Sequence, residues 1–398
     1  MINKEMQPTG TSDATPQYAV PANLDAYIKN NSIVARSPGR INLIGEHTDY
    51  NNGFVLPAAI DKAAYIVITP RNDHEIRLHA VDLNEDYNTH ADSLAKAADM
   101  SWPNYILGVV EQFQLAGITV NGFDAALTGD IPIGAGLSSS AAVECAVALA
   151  LNELYGAGFD KFTMVKMSQK AENDFVGVQC GIMDQFASMF GKHNHVMKLD
   201  CRSLEFEYVP FNMEGIKILL LDTNVKHSLG DTAYNVRRKQ CETGVAWIQR
   251  HVPAVKSLRD VTMEMLDKYV LNDDALIYQR CKYVIEENTR LLAACEDLAQ
   301  ANMAGFGARM YQSHDGLSNL YEVSCPELDF LVAHVRNNPA VLGARMMGGG
   351  FGGCTINLVK EAAIGEVVAE ATIAYKKGMN KMLTAHVAQI ETGSTLLR

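Results

Sequence analysis

Pro132-Ile-Gly-Ala-Gly-Leu-Ser-Ser-Ser-Ala-Ala142 sets two glycines and three serines at the mouth of an apolar run. Gly134 and Gly136 leave no Cβ between the backbone amides and an incoming anion, and the run from Ala141 to Tyr155, nearly all Ala, Val, Leu and Cys, reads as a buried helix. Upstream, Gly122-Phe-Asp-Ala-Ala-Leu-Thr128 alternates like a strand. Strand, glycine loop and helix N-terminus, in that order, predict a phosphate cradle; the bland alternative is a packing loop, since Gly and Ser are ordinary turn residues. The lysine of the better known G-x-x-x-x-G-K nucleotide loop is missing. A helix N-terminus supplies only about half an elementary charge. Balancing a triphosphate therefore requires a divalent metal and a cationic side chain from elsewhere in the chain.

A second stretch, Gly39-Arg-Ile-Asn-Leu-Ile-Gly-Glu-His-Thr-Asp-Tyr50, gathers Glu46, His47 and Asp49 within four residues. A sugar presents hydroxyls that both donate and accept, and short carboxylate and imidazole groups can fix each of them. The same groups could also hold Zn or Fe. A third stretch, Gly343-Ala-Arg-Met-Met-Gly-Gly-Gly-Phe-Gly-Gly-Cys354, packs five glycines into six residues before an apolar strand pattern. Removing that many side chains implies close approach of the backbone to another segment or to a ligand.

At 398 residues the chain exceeds what one core usually serves, so two domains are expected. A formal net charge of -12 argues against nucleic acid or an anionic membrane as partner, and no run reaches the length of a membrane-spanning helix. The eight cysteines are scattered without a C-x-x-C pair, which with the absence of a signal peptide suggests reduced thiols in a cytoplasm and no zinc site. Residues 1–20 read as a disordered polar tail. Pro21 to Lys29 reads as a helix; strands are expected at 32–37, across 54–69 and at 75–82, and helical spacing recurs over 161–175 and 182–190. The apolar run Ile216 to Asp222 reads as a buried strand opening a second domain, so the division falls at 21–214 and 215–398. Long helical patterns follow from Tyr234 to Met310.

Together the three stretches resemble the galactokinase branch of the GHMP small-molecule kinases, over most of the chain from about residue 20. Gly39 to Tyr50 is similar to the signature of that branch, while the 132–142 loop and the 343–353 cluster are similar to motifs of the whole family. Cys180-Gly-Ile-Met-Asp-Gln185 and Tyr234-Asn-Val-Arg-Arg238 match the branch as well. Met347 departs from it, standing where the family more often has Thr. The resemblance implies an α+β, two-domain fold with a mixed sheet and helices in each domain and the active site in the cleft between them. It also implies ATP-dependent phosphorylation of the C1 hydroxyl of α-D-galactose, the first step of galactose catabolism. Alternatives on the same fold are an N-acetylgalactosamine kinase and a catalytically silent sensor of galactose and ATP.

By that resemblance Asp184 is the catalytic base and Arg40 sits beside it, keeping it ionised and stabilising charge on the transferring group. Glu46, His47, Thr48, Asp49, Gly181 and Tyr234 are the sugar-binding set, and Gly134, Ala135, Gly136, Leu137, Ser138, Ser139 and Ser140 the phosphate loop. Ser140 and Glu172 would ligate Mg²⁺. Trp102 and Tyr105 are candidates for the wall against adenine, and both could equally be core aromatics. The partners implied are galactose and ATP, with the protein acting as a monomer.

Overall fold

In a computed structural model, the structure describes residues 18–132, 134–211, 214–225 and 230–398, with the backbone alone at 230–232. Residues 1–17 of the expected tail lie outside the described residues. β1 (Ile33–Asn42) is buried along nearly its whole length although it carries Arg36, Ser37, Arg40 and Asn42, so this strand takes polar chemistry into the interior. Its pairing with β3 (Pro57–Pro70) breaks between Pro38 and Arg40. A register break of this kind re-aims the side chains beyond it. Here the first of them is Arg40.

β2 (Phe54–Val55), β4 (Glu75–Ala80) and β5 (Glu85–His90) lead to α1 (Trp102–Leu115), which starts with Pro103 in its first turn where a missing N–H costs nothing. β6 (Phe123–Gly129), the glycine loop and α2 (Ser139–Leu154) follow in the expected order. The backbone stays helical past 175, as the spacing predicts, but α3 is Lys161–Lys170 and a π-helical turn takes over at Ala171–Val176, ending on Gly177 at φ +100°. The Pro21–Lys29 helix is likewise only a 3₁₀ turn at Ala22–Tyr27, with Leu24 its one buried residue and too little apolar face to extend it. α4 (Met183–Phe190), β7 (His195–Asp200) and β8 (Phe206–Pro210) complete this half.

The second half runs β9 (Ile216–Asp222), α5 (Gly230–Gln249), α6 (Met263–Tyr269), α7 (Ala275–Ala299), α8 (Met303–Gly316) and α9 (Pro326–Val335). β10 (Val341–Met346), β11 (Cys354–Lys360), α10 (Ile364–Met379), β12 (Thr384–Ala388) and β13 (Thr395–Leu396) end the chain. Among the described residues three sheets result, ordered β13-β1-β3-β6-β4-β5, β10-β11-β9-β12 and β2-β7-β8. Every neighbouring pair is antiparallel except β4 with β6. The last strand returns to pair with β1.

One core lies between the six-stranded sheet and α1 to α4, with Phe113, Phe123 and Phe186 fully buried. A second core joins Ile41, Leu56 and Ile60 to Ile218, Met310, Met347 and Ile356. This apolar seam holds the two halves together. Met347 belongs to it with no exposure.

Candidate active site

Two left-handed glycines, Gly134 at φ +81° and Gly136 at φ +76°, turn the loop so that α2 begins at Ser139, with Ser138 as its left-handed N-cap at φ +58°. Three segments press backbone to backbone around this turn. The Arg40 amide donates to the Leu137 carbonyl at 3.0 Å, and a Cβ on Gly39 would lie 2.7 Å from that same oxygen. From the other side, a Cβ on Gly348 would meet the Gly136 carbonyl at 3.1 Å, and one on Gly353 would meet Ala135 at 3.2 Å. The close approach that the 348–353 glycines imply is therefore, at least in part, to the phosphate loop itself.

Arg40 and Asp184 form a two-point pair: Nε donates to Oδ1 at 2.8 Å and Nη2 to Oδ2 at 3.0 Å. Nη1 donates to the Gly136 carbonyl at 2.6 Å, and Ser138 Oγ donates to Asp184 Oδ2 at 2.5 Å. Planar guanidinium matched to carboxylate fixes direction as well as distance. Asp184 lies in the first turn of α4, held at 26% side-chain exposure, while Arg40 is almost fully enclosed. A cleft of about 880 Å³ opens in front of the pair. Gly134, Gly136, Leu137, Ser138, Ser139 and Ser140 line it from one side, and Tyr234, Gly349 and Gly350 from the other. Trp102 and Tyr105 line it as well; the Trp102 indole N–H donates to Glu85 at 2.8 Å. Ala135 is fully buried behind the loop.

The signature residues lie behind that lining. Glu46 Oε1 accepts from Arg345 Nη2 at 3.0 Å and from the Gly348 amide at 2.8 Å, and Oε2 accepts from Asn42 at 2.9 Å. The Thr48 hydroxyl is spent on the Gly45 and Phe54 carbonyls. His47 bonds to Tyr50 and to the Gly349 carbonyl. Asp49 accepts from the Tyr50 amide; burial, followed by the negative charge of Asp184, pushes its carboxyl up to about 7. Gly181 lies against it: a Cβ there would sit 1.9 Å from Asp49 Oδ2.

Glu172, on the π-helical turn, is buried and its carboxylate accepts from the Ser140 hydroxyl, from Gln185 Nε2 at 2.7 Å and from the Cys180 thiol at 3.3 Å. Burial and the charge of Asp184 raise it to about 7. Among the described residues no group of three or more His, Cys, Asp or Glu is arranged around a metal position. Ser140 and Glu172 instead offer a small set of hard oxygens at the cradle, a donor set of the kind Mg²⁺ takes while keeping several of its waters. Three residues here have no role assigned from the sequence, although Gln185 closes the Cys180–Gln185 motif. Arg345, fully buried on β10, donates to the Asn42, Leu43 and Met346 carbonyls as well as to Glu46. Glu144 and Gln185 lie behind Glu172, joined at 3.0 Å, and burial with the nearby Glu172 holds the Glu144 carboxyl well above its usual range. An arginine inside an apolar strand just ahead of the glycine cluster, and a glutamate inside an alanine-rich helix, are the signals that could have singled out Arg345 and Glu144.

Comparison with known proteins gives three family matches: GHMP kinases N terminal domain at residues 104–192, galactokinase galactose-binding signature at 25–70, and GHMP kinases C terminal at 292–377. A galactokinase of Thermotoga maritima is 40% identical over 358 residues, covering 90% of this chain and 98% of that protein. One from Clostridium beijerinckii is 38% identical over 372 residues, covering 92% and 95%. The crystal structure of Lactococcus lactis galactokinase complexed with galactose superposes with a TM-score of 0.88 at 34% identity, covering 92% of this chain and 95% of that one. Methanococcus jannaschii mevalonate kinase shares the fold, with a TM-score of 0.61 at 18% identity over 92% of this chain and all of that one.

Proposed function

This chain belongs to the galactokinase family of the GHMP kinases, and from that premise we propose that it transfers the γ-phosphoryl group of ATP to the C1 hydroxyl of α-D-galactose, giving galactose 1-phosphate and ADP. The observation that carries the reading is the two-point pairing of Arg40 with Asp184 where the phosphate loop meets the sugar signature. An anomeric hydroxyl is a poor nucleophile; Asp184 takes its proton as the phosphoryl group arrives and, because a loose transition state asks little of the nucleophile, also acts by orienting it. Arg40 stabilises charge on the transferring group from a position already fixed by three hydrogen bonds.

In this reading the amides of 134–140 cradle the phosphates at the start of α2. Ser140 and Glu172 would hold Mg²⁺, which when bound offsets negative charge on the phosphates. Asp49, Gly181 and Tyr234 meet the sugar hydroxyls, with Glu46 contributing the acceptor capacity that Asn42 leaves on Oε2. Adenine lies toward Trp102 and Tyr105. The protein acts as a cytoplasmic monomer whose eight cysteines are free thiols, and its two domains are 21–214 and 215–398, with β13 returning to the first.

Purified protein with ATP, Mg²⁺ and a panel of hexoses tests the assignment. Galactose-dependent ATP consumption is expected. Equal or greater turnover with N-acetylgalactosamine overturns the choice of substrate, and binding of galactose and ATP without turnover would favour a sensor.

A further inference from the structure

Behind the sugar signature runs a chain of hydrogen bonds in which every proton has one possible direction. His47 Nε2 lies 3.1 Å from the Gly349 carbonyl oxygen and Nδ1 lies 2.7 Å from the Tyr50 hydroxyl. The Tyr50 hydroxyl is 2.8 Å from that of Tyr321, which is 3.2 Å from Cys241 Sγ. A carbonyl only accepts, so Nε2 carries the ring proton. The imidazole is neutral, because burial pushes its pKa down to about 4 against the pull of Glu46. Nδ1 therefore accepts from Tyr50. With its one proton spent, Tyr50 accepts from Tyr321, and Tyr321 in turn accepts from the Cys241 thiol.

This chain crosses twice between the halves of the molecule, at Gly349 and at Tyr321. Its centre is built for position: His47 holds a left-handed backbone at φ +64°, unfavourable for a residue with a side chain, and is only 3% exposed. Its ring packs 5.2 Å from the Tyr234 ring and 4.9 Å from that of Tyr321. Gly349 sits against the other side of the same corner, where a Cβ would be 3.5 Å from the Tyr234 ring. One residue earlier, Glu46 accepts from the Gly348 amide. Two consecutive side chains of the signature thus grip two consecutive residues of the C-terminal glycine turn, one through an N–H and the other through a C=O.

We propose that His47 is a positioning residue: its imidazole straps the sugar signature to the C-terminal glycine turn and backs Tyr234, setting the sugar-binding wall without touching the sugar through its side chain. The assignment rests on the galactokinase reading above. It separates His47 from Asp49, whose carboxylate acts by direct contact.

The test compares His47→Phe, which keeps the ring but removes both polar contacts, with His47→Gln, whose amide can again donate to Gly349, and with Tyr50→Phe. KM for galactose, KM for ATP, kcat and calorimetric galactose affinity are measured beside thermal stability. For His47→Phe the galactose KM and Kd are expected to rise about tenfold, as for loss of the hydrogen bond that crosses to Gly349, with the ATP KM within about twofold. His47→Gln recovers most of that loss, and Tyr50→Phe falls between the two. A folded His47→Phe protein with unchanged galactose KM beside an active wild type overturns the strap alone, as does an equal loss in the Gln variant. Absence of galactose-dependent turnover in the wild type overturns both the strap and the reading beneath it.

Discussion

The phosphate loop and the sugar signature are stitched together by one backbone hydrogen bond, yet they are built in opposite ways. Gly134 to Ser140 faces an open cleft and offers backbone amides and hydroxyls; its side-chain ties run from Ser138 to Asp184 and from Ser140 to Glu172. Glu46, His47 and Thr48 are enclosed, and their side chains are spent on Arg345, Asn42, Gly348, Gly349, Tyr50 and carbonyls of their own loop. An anion needs many convergent weak donors, which a glycine turn at a helix N-terminus supplies without side chains. Discriminating among hydroxyls of a polyol needs acceptors locked in direction, and locking requires a second layer of partners. Arg40 and Asp184 belong to both regions. The guanidinium occupies the Gly136 carbonyl as well as the Asp184 carboxylate.

The largest effect is expected where the two regions share a group. Asp184→Asn keeps the size of the side chain but removes its charge, and kcat should fall about 10³-fold, within the usual range for a lost general base, while calorimetry still registers galactose. Near wild-type kcat would remove Asp184 from the proton-transfer role. Gly181→Ala attacks the signature side alone, since the new Cβ must displace the Asp49 carboxylate. We expect about a hundredfold loss in kcat/KM for galactose, with the ATP KM little changed, an outcome about the size of two lost hydrogen bonds. Equal losses for both substrates would mean that the two regions are not separable.

Ser140→Ala breaks the other side. Steady-state titration of Mg²⁺ should show its apparent half-saturation rise about tenfold, with galactose affinity by calorimetry unchanged. An unaltered Mg²⁺ requirement would move the metal away from Ser140.

The smallest effect is the pH dependence of galactose binding, read at Asp49. The Asp49 carboxyl stands at about 7 in the folded protein because burial disfavours its charge. Its folded value exceeds the unfolded one near 4, so the stability it contributes is complete at low pH and is lost as pH rises through 7. In the proposed site galactose takes the ionised acceptor. The rise in Tm on adding galactose should therefore grow as pH climbs from 6 to 8, and Asp49→Asn should flatten that trend. A constant increment in the wild type would show that Asp49 does not titrate beneath the sugar.

Much of this was legible in the sequence because it is local. Strand, glycine turn and helix are consecutive between Gly122 and Leu154, and Ile216–Asp222 is a strand with the limits that its apolar run suggests. β5 escaped because Glu85–His90 alternates without an apolar face, leaving no periodic signal at a sheet edge. The π-helical turn that carries Glu172 escaped because its residues keep helical spacing while the hydrogen-bond step lengthens. Arg345 escaped for another reason. Its partners at Asn42, Leu43 and Glu46 lie about 300 positions away, and no local pattern encodes a contact of that range.

Both regions exist, in this account, to bring one hydroxyl of one sugar between Asp184 and the phosphate loop. The position of the phosphate on the product tests that most directly. Phosphorus NMR of the product formed from galactose and ATP should show a single phosphomonoester coupled to the anomeric proton. A phosphate coupled to the C6 protons, or a mixture of positions, would contradict it.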